Sequence, residues 1–301
     1  MDSKINYDHC PCCGSAAINK VLNCKDYTVS NEYFEIWKCE TCNLRFTQNA
    51  PDEAAIGVYY QSAEYVSHSD TKKGLINRLY HYVRSFTLTT KLNLIKEVTG
   101  LKHGVLLDVG AGTGAFAVTM QQAGWNVTGL EPDETARANA LKNYKLQLEE
   151  LRNLDQLHHD TFDAITLWHV LEHVHDLHGY IEKFFEILKP AGRLVIAVPN
   201  YTSFDAGFYK QFWAAYDVPR HLYHFSPKSM QILLEKKGFV VESFKPMWFD
   251  SFYVSMLSEK YRHGKGYVVS AVWVGLLSNI KALFNAKRCS SVIYVMRKNR
   301  S

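Results

Sequence analysis

From Lys102 onward, short runs of apolar residues alternate with longer segments in which apolar residues recur every three or four positions. The runs predict seven strands, at 104–109, 125–131, 146–149, 162–168, 192–198, 239–245 and 291–297. The periodic segments between the first five strands predict helices, at 114–123, 133–143 and 175–189. This alternation is typical of an α/β protein with a mostly parallel sheet.

The chain divides into three regions by composition. The predicted organisation begins with a cysteine-rich start (1–49) and a tyrosine-rich helical lid or linker (50–100). An α/β domain (101–301) follows, with insertions at 201–225 and 247–289. A long helix is predicted at 74–98, and the apolar spacing of the second insertion predicts further helices.

The overall composition is that of a folded protein of ordinary charge. Of 301 residues, 47% are hydrophobic and 21% charged, and the net charge of +4 is too small for a protein that wraps nucleic acid along its surface. The first residues lack the apolar core of a secretory signal. The longest apolar stretch, 267–277, falls well short of the roughly 20 residues that a membrane-spanning helix needs. We therefore expect a cytoplasmic protein.

A glycine-rich loop follows the first strand of the α/β domain. Gly110, Gly112 and Gly114 allow a sharp turn and close approach of the backbone to a ligand, in front of a helix N-terminus. Glu131 ends the next strand, at the distance from the loop expected of a carboxylate that accepts ribose hydroxyls. The G-x-G-x-G spacing, preceded by Asp108, differs from the G-x-G-x-x-G of dinucleotide sites and favours S-adenosylmethionine over NAD.

On the motifs LDVGAGTG (107–114) and GLEP (129–132), the chain resembles class I S-adenosylmethionine-dependent methyltransferases over roughly residues 75–300. The resemblance implies a Rossmann-like α/β sheet of seven strands, the last antiparallel, with Asp108 near the amino group of the methionine moiety and Glu131 on the ribose. The segment 162–173 resembles the family's fourth-strand motif. The cofactor-binding residues so predicted are Asp108, Gly110, Ala111, Gly112, Gly114, Glu131, Leu167 and Trp168.

Two C-x-x-C pairs near the start predict a structural zinc site in a small zinc ribbon. The predicted ligands are Cys10, Cys13, Cys39 and Cys42. Four thiolates close a tetrahedral site and leave no open position, so the zinc would contribute to folding and not to catalysis. Cys12 and Cys24 remain, either as small buried residues or as a second metal or redox pair. The ribbon carries balanced charge, which disfavours nucleic-acid binding.

Histidines concentrate in the segments that follow the fourth and fifth strands. His221 or His224, with His169 as a third candidate, is predicted to remove a proton from a hydroxyl acceptor, the alternative being structural hydrogen bonding. The segment containing Glu172 and His173 is similar to ubiquinone-pathway O-methyltransferases, which implies a divalent ion that assists a catechol-like acceptor. His169 stands where those enzymes carry a carboxylate, so a structural hydrogen-bonded pair is the other interpretation.

Aromatic residues are candidates for contacts with cofactor or acceptor. Trp213 and Tyr216 could stack on a ring or sugar of the acceptor. A second cluster either forms a lid over the cofactor or covers the core, and its members are Tyr59, Tyr60, Tyr65 and His68.

The favoured function is methyl transfer to a small-molecule, lipid-linked or saccharide-linked acceptor. The rivals are a nucleic-acid methyltransferase guided by the ribbon, disfavoured because 167–170 reads Leu-Trp-His-Val, and a cofactor-binding scaffold without turnover. Residues 260–301 hold nine basic and no acidic residues around an apolar helix, which predicts peripheral membrane contact. Burial of that helix against the sheet, with solvated cations around it, is the alternative.

Overall fold

The computed structural model describes residues 4–61 and 75–299, with side chains of the first long helix described from Val83 onward. Tyr65 and His68 of the predicted lid lie outside the described residues. The strands are β1 (Lys4–Ile5), β2 (Ile18–Lys25), β3 (Tyr33–Cys39), β4 (Arg45–Gln48), β5 (Ala50–Pro51), β6 (Val105–Val109), β7 (Asn126–Leu130), β8 (Phe162–Trp168), β9 (Leu188–Pro199), β10 (Tyr223–His224), β11 (Phe239–Pro246) and β12 (Ser291–Lys298). The α-helices are α1 (Leu75–Thr99), α2 (Ala115–Gln122), α3 (Glu134–Tyr144), α4 (Leu177–Ile187), α5 (Phe204–Tyr209), α6 (Pro227–Glu235), α7 (Asp250–His263) and α8 (Val268–Phe284).

The central sheet has the strand order β11-β12-β9-β8-β6-β7. β7, β6, β8 and β9 run parallel, whereas β12 is antiparallel to both β9 and β11. Fully buried residues such as Leu107, Ile165 and Ile196 fill its interior, as expected of parallel strands covered on both faces. The α/β prediction and the antiparallel last strand are confirmed.

The structure has six strands in this sheet where the sequence predicted seven. Segment 146–149 contributes only an isolated parallel bridge between Leu130 and Glu149. Leu146 and Leu148 are buried and alternate with exposed residues, so the segment has the pattern of a strand. Their side chains pack against α2 and α3 residues, and the segment passes the sheet edge with one pair of backbone hydrogen bonds. The alternating pattern therefore reports burial here, without an extended ladder.

The cysteine-rich start forms an antiparallel sheet of order β10-β4-β3-β2. Its fourth strand, β10, comes from the predicted insertion 201–225, with Tyr223 opposite Phe46 and His224 opposite Arg45. Cysteines of the start and residues of the central sheet belong to one buried cluster. The ribbon is therefore completed by a distant part of the chain and shares a core with the α/β domain.

The second insertion folds as a helical hairpin of α7 and α8. The helices approach closely at Gly275, where an added Cβ would lie 2.7 Å from Phe252. The Ser251 hydroxyl bonds to the Asn279 side chain, and the Ser270 hydroxyl donates to Glu259 at 2.5 Å. Within the described residues, no helix is both long and apolar enough to span a bilayer.

Candidate functional site

The glycine loop, residues 110–114, lies at the carboxyl end of β6. Gly110, Gly112 and Gly114 have φ values of 67°, 56° and 78°, a left-handed backbone region that residues with a Cβ rarely adopt. A Cβ on Gly110 would lie 2.4 Å from Val170, whereas a Cβ on Gly112 would meet nothing within 4 Å. Gly114 is the N-cap of α2. The loop thus presents bare backbone and a helix N-terminus to the space beyond the sheet, as an adenosine-containing cofactor requires.

The Glu131 carboxylate lies directly beside this loop. It accepts hydrogen bonds from the backbone N–H of Gly112 at 2.7 Å and of Asp133 at 2.9 Å. Burial raises the pKa of Glu131, and the two N–H donors oppose that shift. The carboxylate that the sequence assigned to the ribose is therefore oriented by the backbone of the loop itself.

Asp108 is a buried carboxyl at the end of β6. It accepts a hydrogen bond of 2.7 Å from the Thr166 hydroxyl of the neighbouring strand β8. Burial raises the pKa of Asp108 to about 7, against the effects of Thr166 and of the Lys91 ammonium. Burial lowers the pKa of Lys91 to about 8. A cationic group of a cofactor beside Asp108 would favour the ionised carboxylate.

Lys91 was missed by the sequence interpretation. It comes from α1, and its Nζ lies 4.2 Å from the centroid of the Trp168 ring, within range of a cation–π contact. Trp168 also packs edge-on against Phe116, and its Nε1 is buried without a hydrogen-bond partner among the described residues. Leu167, also predicted to line the cofactor site, is fully buried in the core, while Ala111 donates its N–H to Leu130.

The four predicted zinc ligands come together in the structure. Cys10, Cys13, Cys39 and Cys42 place their sulfurs within 4.8 Å of one another. The Sγ atoms of Cys10 and Cys42 are 3.4 Å apart. A Zn–S bond of about 2.3 Å implies sulfur atoms about 3.8 Å apart in a tetrahedral site, so this tetrad suits zinc with small adjustments. Cys12 and Cys24 are both buried outside the tetrad, which agrees with a packing role.

His169 follows β8 and lies between two carboxylates. Its Nδ1 is 3.3 Å from Glu172 Oε1, and its Nε2 is 2.8 Å from Asp250 Oδ2 at the start of α7. Burial alone would lower the pKa of His169, but the Asp250 and Glu172 carboxylates raise it to about 10. An imidazolium that donates from both nitrogens has no lone pair for a proton. His169 therefore suits a positioning role better than the predicted role of base.

Glu172, His173 and His221 form a second group with ligand atoms within 4.8 Å of one another. The Nδ1 of His173 lies 3.1 Å from the Arg220 carbonyl, and the Nδ1 of His221 lies 2.9 Å from the Ala215 carbonyl. Carbonyls only accept, so both Nδ1 atoms carry hydrogen, and the neutral form of each ring has its lone pair on Nε2.

Glu172 completes this group with an oxygen that lacks a partner. Its carboxylate is fully buried, and Oε2 accepts no hydrogen bond from the described residues. Burial raises its pKa, but the hydrogen bond and charge of His169 outweigh this and lower it. Burial and the neighbouring His221 lower the pKa of His173 to about 4. A carboxylate oxygen and two imidazole nitrogens are ligand types that fit a divalent cation. We call His169, Glu172, His173 and His221 the histidine cluster.

His224, the other predicted base, lies apart from this cluster on β10. Its Nε2 is 3.1 Å from the Thr47 hydroxyl, and its ring packs edge-on against Tyr216. Burial lowers its pKa well below the usual value, so the ring is neutral. Trp213 and Tyr216 are themselves buried, and the Trp213 Nε1 donates to Asp205, so neither offers a free face for stacking on an acceptor.

Two further residues that position the site were missed in the sequence. Arg220 is buried and donates to Asp26 at 3.0 Å and to Asp217 at 2.7 Å, which ties the ribbon to the segment of the histidine cluster. Asp250 reaches His169 from the helical hairpin. Both contacts join residues far apart in the chain, and no local spacing signals them. Of the predicted lid, Tyr60 contacts His173 and Tyr59 donates to Glu32.

Comparison with known proteins identifies relatives of this architecture. The family model described as "Methyltransferase domain" matches residues 81–243, more than half of the chain. The mitochondrial ubiquinone biosynthesis O-methyltransferase of Bos taurus is 32% identical over 173 residues, 52% of this chain and 46% of that protein. The ubiquinone biosynthesis O-methyltransferase of Shewanella pealeana is 32% identical over 119 residues, 36% of this chain and 50% of that protein. The chain thus spans about half the length of these curated relatives.

A solved structure shows the same fold at low sequence identity. The geranyl diphosphate C-methyltransferase of Streptomyces coelicolor A3(2), determined with Mg²⁺, geranyl diphosphate and S-adenosyl-L-homocysteine, has a TM-score of 0.51 and 12% identity. The match covers 77% of this chain and 87% of that one. With the glycine loop, Glu131 and the family match in agreement, the chain belongs to the class I S-adenosylmethionine-dependent methyltransferases.

Proposed function

We propose that this protein transfers a methyl group from S-adenosylmethionine to a hydroxyl of a small molecule with an apolar, membrane-embedded part. The observation that supports an apolar part of the acceptor is the exposed apolar surface of the helical hairpin. Relatives named as O-methyltransferases of ubiquinone biosynthesis support oxygen as the acceptor atom. The balanced charge of the ribbon argues against a nucleic-acid substrate.

The hairpin buries small residues and exposes large ones. α8 turns Ala271, Gly275, Ser278 and Ala282 inward. Trp273 is 60% exposed and Phe284 is 87% exposed. Soluble proteins rarely expose such large apolar side chains together. The apolar hairpin face comprises Phe249, Tyr253, Met256, Val268, Val269, Val272, Trp273, Leu276, Ile280, Leu283 and Phe284. One face of α8 is therefore buried while the opposite face is apolar and exposed, which supports membrane contact over complete burial of the helix.

Basic residues accompany this face. The exposed cations of the hairpin and the segment after it are Lys260, Arg262, Lys265, Lys281, Lys287 and Arg288. Apolar side chains beside Lys and Arg match the interface of an anionic bilayer, where each cation near the surface contributes about 1 kcal/mol. A second protein would need no such excess of positive charge, so charge complementarity favours a membrane as the occupant.

The hairpin also connects this face to the histidine cluster. Asp250, the first residue of α7, bonds to His169, and its neighbour Phe249 belongs to the apolar hairpin face. Phe249 packs edge-on against Phe86 of α1, the helix that supplies Lys91 beside Asp108. A membrane-bound acceptor could therefore present its polar end to the histidine cluster while its apolar part stays in lipid.

The chemical step is an in-line displacement. The acceptor oxygen attacks the methyl carbon, the C–O bond forms as the C–S bond of the sulfonium breaks, and the electron pair remains on sulfur. The hydroxyl proton passes to His221 Nε2, whose lone pair is set by the Nδ1 contact with Ala215. With a divalent cation held by Glu172, His173 and His221, the His221 Nε2 would be a ligand instead of the proton acceptor, and the cation would supply Lewis acidity that lowers the pKa of a bound hydroxyl.

The test combines an activity assay with membrane flotation. Protein incubated with methyl-labelled S-adenosylmethionine and either total lipid extract or aqueous cell extract should transfer label to an organic-soluble product. Label confined to water-soluble products or nucleic acid would contradict the proposed acceptor. His221→Gln should lower turnover at least about hundredfold while cofactor affinity changes little.

Flotation with liposomes tests the membrane contact separately from activity. The protein should float with anionic liposomes at low salt, and the double variant Trp273→Gln, Phe284→Gln should bind at least about tenfold more weakly. Leu141→Gln, which removes an exposed apolar side chain on α3, is the matched control and should float normally. A wild-type protein that stays at the bottom of the gradient, or that dimerises through this face, would refute the membrane contact.

A further inference from the structure

A groove of about 690 Å³ lies between strand β2 of the ribbon and the segment 201–216. Its size is that of a small-molecule site, and it takes no part in the proposed methyl transfer. Tyr216 and His224, in edge-on contact, stand between Arg45 of the groove and His221. The groove is therefore a second cavity, on the ribbon side of the protein.

The groove contains cations without matching anions. Arg45, Lys25 and Lys210 line it, and none of its lining residues in the described part of the chain is Asp or Glu. Among residues 4–61 and 75–299, these three cations form no ion pair with a carboxylate. Most half-buried charges in proteins are paired, so the half-buried and unpaired Arg45 and Lys25, with the exposed Lys210 beside them, point to an anionic ligand.

Arg45 is the most constrained of the three. Its guanidinium stacks 4.2 Å from the Tyr201 ring centroid and donates through Nη1 to the Tyr216 hydroxyl. Its Nε is buried and has no acceptor within the described part of the chain. A guanidinium held in place by these contacts at the groove suits a phosphate oxygen, because such hydrogen bonds are charge-assisted.

Aromatic rings form the rest of the wall. Tyr33 is 72% exposed at the groove, and Tyr27 lies there with Lys25 5.4 Å from its ring centroid. Tyrosines offer flat faces for stacking on a planar ring, with little conformational entropy to lose. Three cations balance about three negative charges, the charge of a diphosphate ester near neutral pH.

We propose that this groove binds a soluble diphosphate ester that carries a planar ring, such as a nucleoside diphosphate. The diphosphate contacts Arg45, Lys25 and Lys210, and the ring lies against the exposed Tyr33. This binding is separate from the proposed methyl transfer, since neither Glu131 nor the histidine cluster lines the groove.

Calorimetry with uridine diphosphate tests the groove. Full-length protein is first saturated with S-adenosylhomocysteine, so that the cofactor site is filled. Uridine diphosphate should then bind saturably, at least about tenfold more tightly than inorganic pyrophosphate or uridine. Absence of saturable binding, or affinity equal to that of pyrophosphate, would overturn the proposal.

Variants locate the binding. Arg45→Gln should weaken uridine diphosphate binding at least about tenfold, and Lys210→Gln about threefold. Lys20→Gln is the matched control. Like Lys25 of the groove, Lys20 lies on strand β2, but it pairs with Glu35 at 2.7 Å outside the groove. Lys210 is exposed, so its variant keeps the test valid even if Arg45→Gln impairs folding. Unchanged affinity in Lys210→Gln together with wild-type-like affinity in any folded Arg45→Gln protein would refute the site.

Discussion

The glycine loop and the histidine cluster follow neighbouring parallel strands, β6 and β8, but they are built in different ways. The loop is made of backbone conformation within one short segment, and its partner Glu131 follows the next strand. The histidine cluster joins residues after β8, residues of insertion 201–225 and, through Asp250, the helical hairpin. The predicted cofactor site is therefore encoded by short segments, whereas the proposed acceptor side depends on the assembly of distant segments.

The ribbon, like the histidine cluster, depends on contacts between distant segments of the chain. The Thr47 hydroxyl on β4 donates to the His221 carbonyl at 2.7 Å, and the Thr47 N–H donates to the Leu222 carbonyl at 2.9 Å. The Leu222 N–H in turn donates to the Glu172 carbonyl at 2.8 Å. A disturbance of the ribbon should therefore reach the histidine cluster and leave the glycine loop intact.

Loss of zinc should separate the two regions most strongly. We predict about one zinc per chain in the wild-type protein and its loss in Cys39→Ser, which removes one of the four sulfurs. Turnover should fall at least about hundredfold because the histidine cluster loses its backbone support, while affinity for S-adenosylmethionine should change less than about threefold. Metal analysis, turnover and calorimetric titration measure the three quantities.

Cys12→Ala is the control for that variant. Cys12 is buried next to the tetrad, and its sulfur contacts the Ser229 carbonyl, but Cys12 is not one of the four clustered ligands. The Cys12 variant should keep its zinc and its turnover. Equal loss of cofactor affinity and turnover in Cys39→Ser would show that the two regions are not independent.

Removal of the Glu131 carboxylate, which is predicted to bind the ribose, should produce the opposite pattern. Glu131→Ala takes away the acceptor for Gly112 and Asp133 and should weaken S-adenosylmethionine binding at least about tenfold, with zinc content unchanged. Glu149→Ala removes an exposed carboxylate from the adjacent chain segment and should bind the cofactor normally. Unaltered cofactor affinity in Glu131→Ala would mean that another group holds the ribose.

A smaller effect is expected from pH. The folded-state pKa of Asp108 is about 7, above the ordinary value of 3.8, so the protonated carboxyl stabilises the folded protein below about pH 4 and this contribution is lost as pH rises through 7. Cationic S-adenosylmethionine prefers the ionised form, so its affinity should rise by up to about tenfold per pH unit below 7. Asp108→Asn should flatten this dependence in titrations from pH 5.5 to 8. A slope that survives in the Asn variant would assign it to another group.

The sequence predicted most of what is local. Alternating apolar runs, the φ-demanding glycines and the paired C-x-x-C motifs gave the strands, the loop and the cysteine tetrad, because each depends on nearby residues. Lys91, Arg220 and Asp250 could not be found in this way, because no local spacing signals their contacts. Lys91 reaches Trp168 77 positions away, Asp250 reaches His169 81 positions away, and Arg220 reaches Asp26 194 positions away. The strand at 146–149 failed because alternation reports burial and not pairing.

The position of β10 in the ribbon sheet bears on the order in which the chain acquires structure during synthesis. β4 is bordered by β3 on one side, and on the other by Tyr223 and His224, which emerge from the ribosome long after the cysteines. Until then one edge of β4 is exposed and can pair with other strands. Pairing with β10 is slow because the two strands are far apart in the sequence. A nascent chain can gather its four thiolates early, but its amino-terminal module matures only once most of the enzyme has been translated.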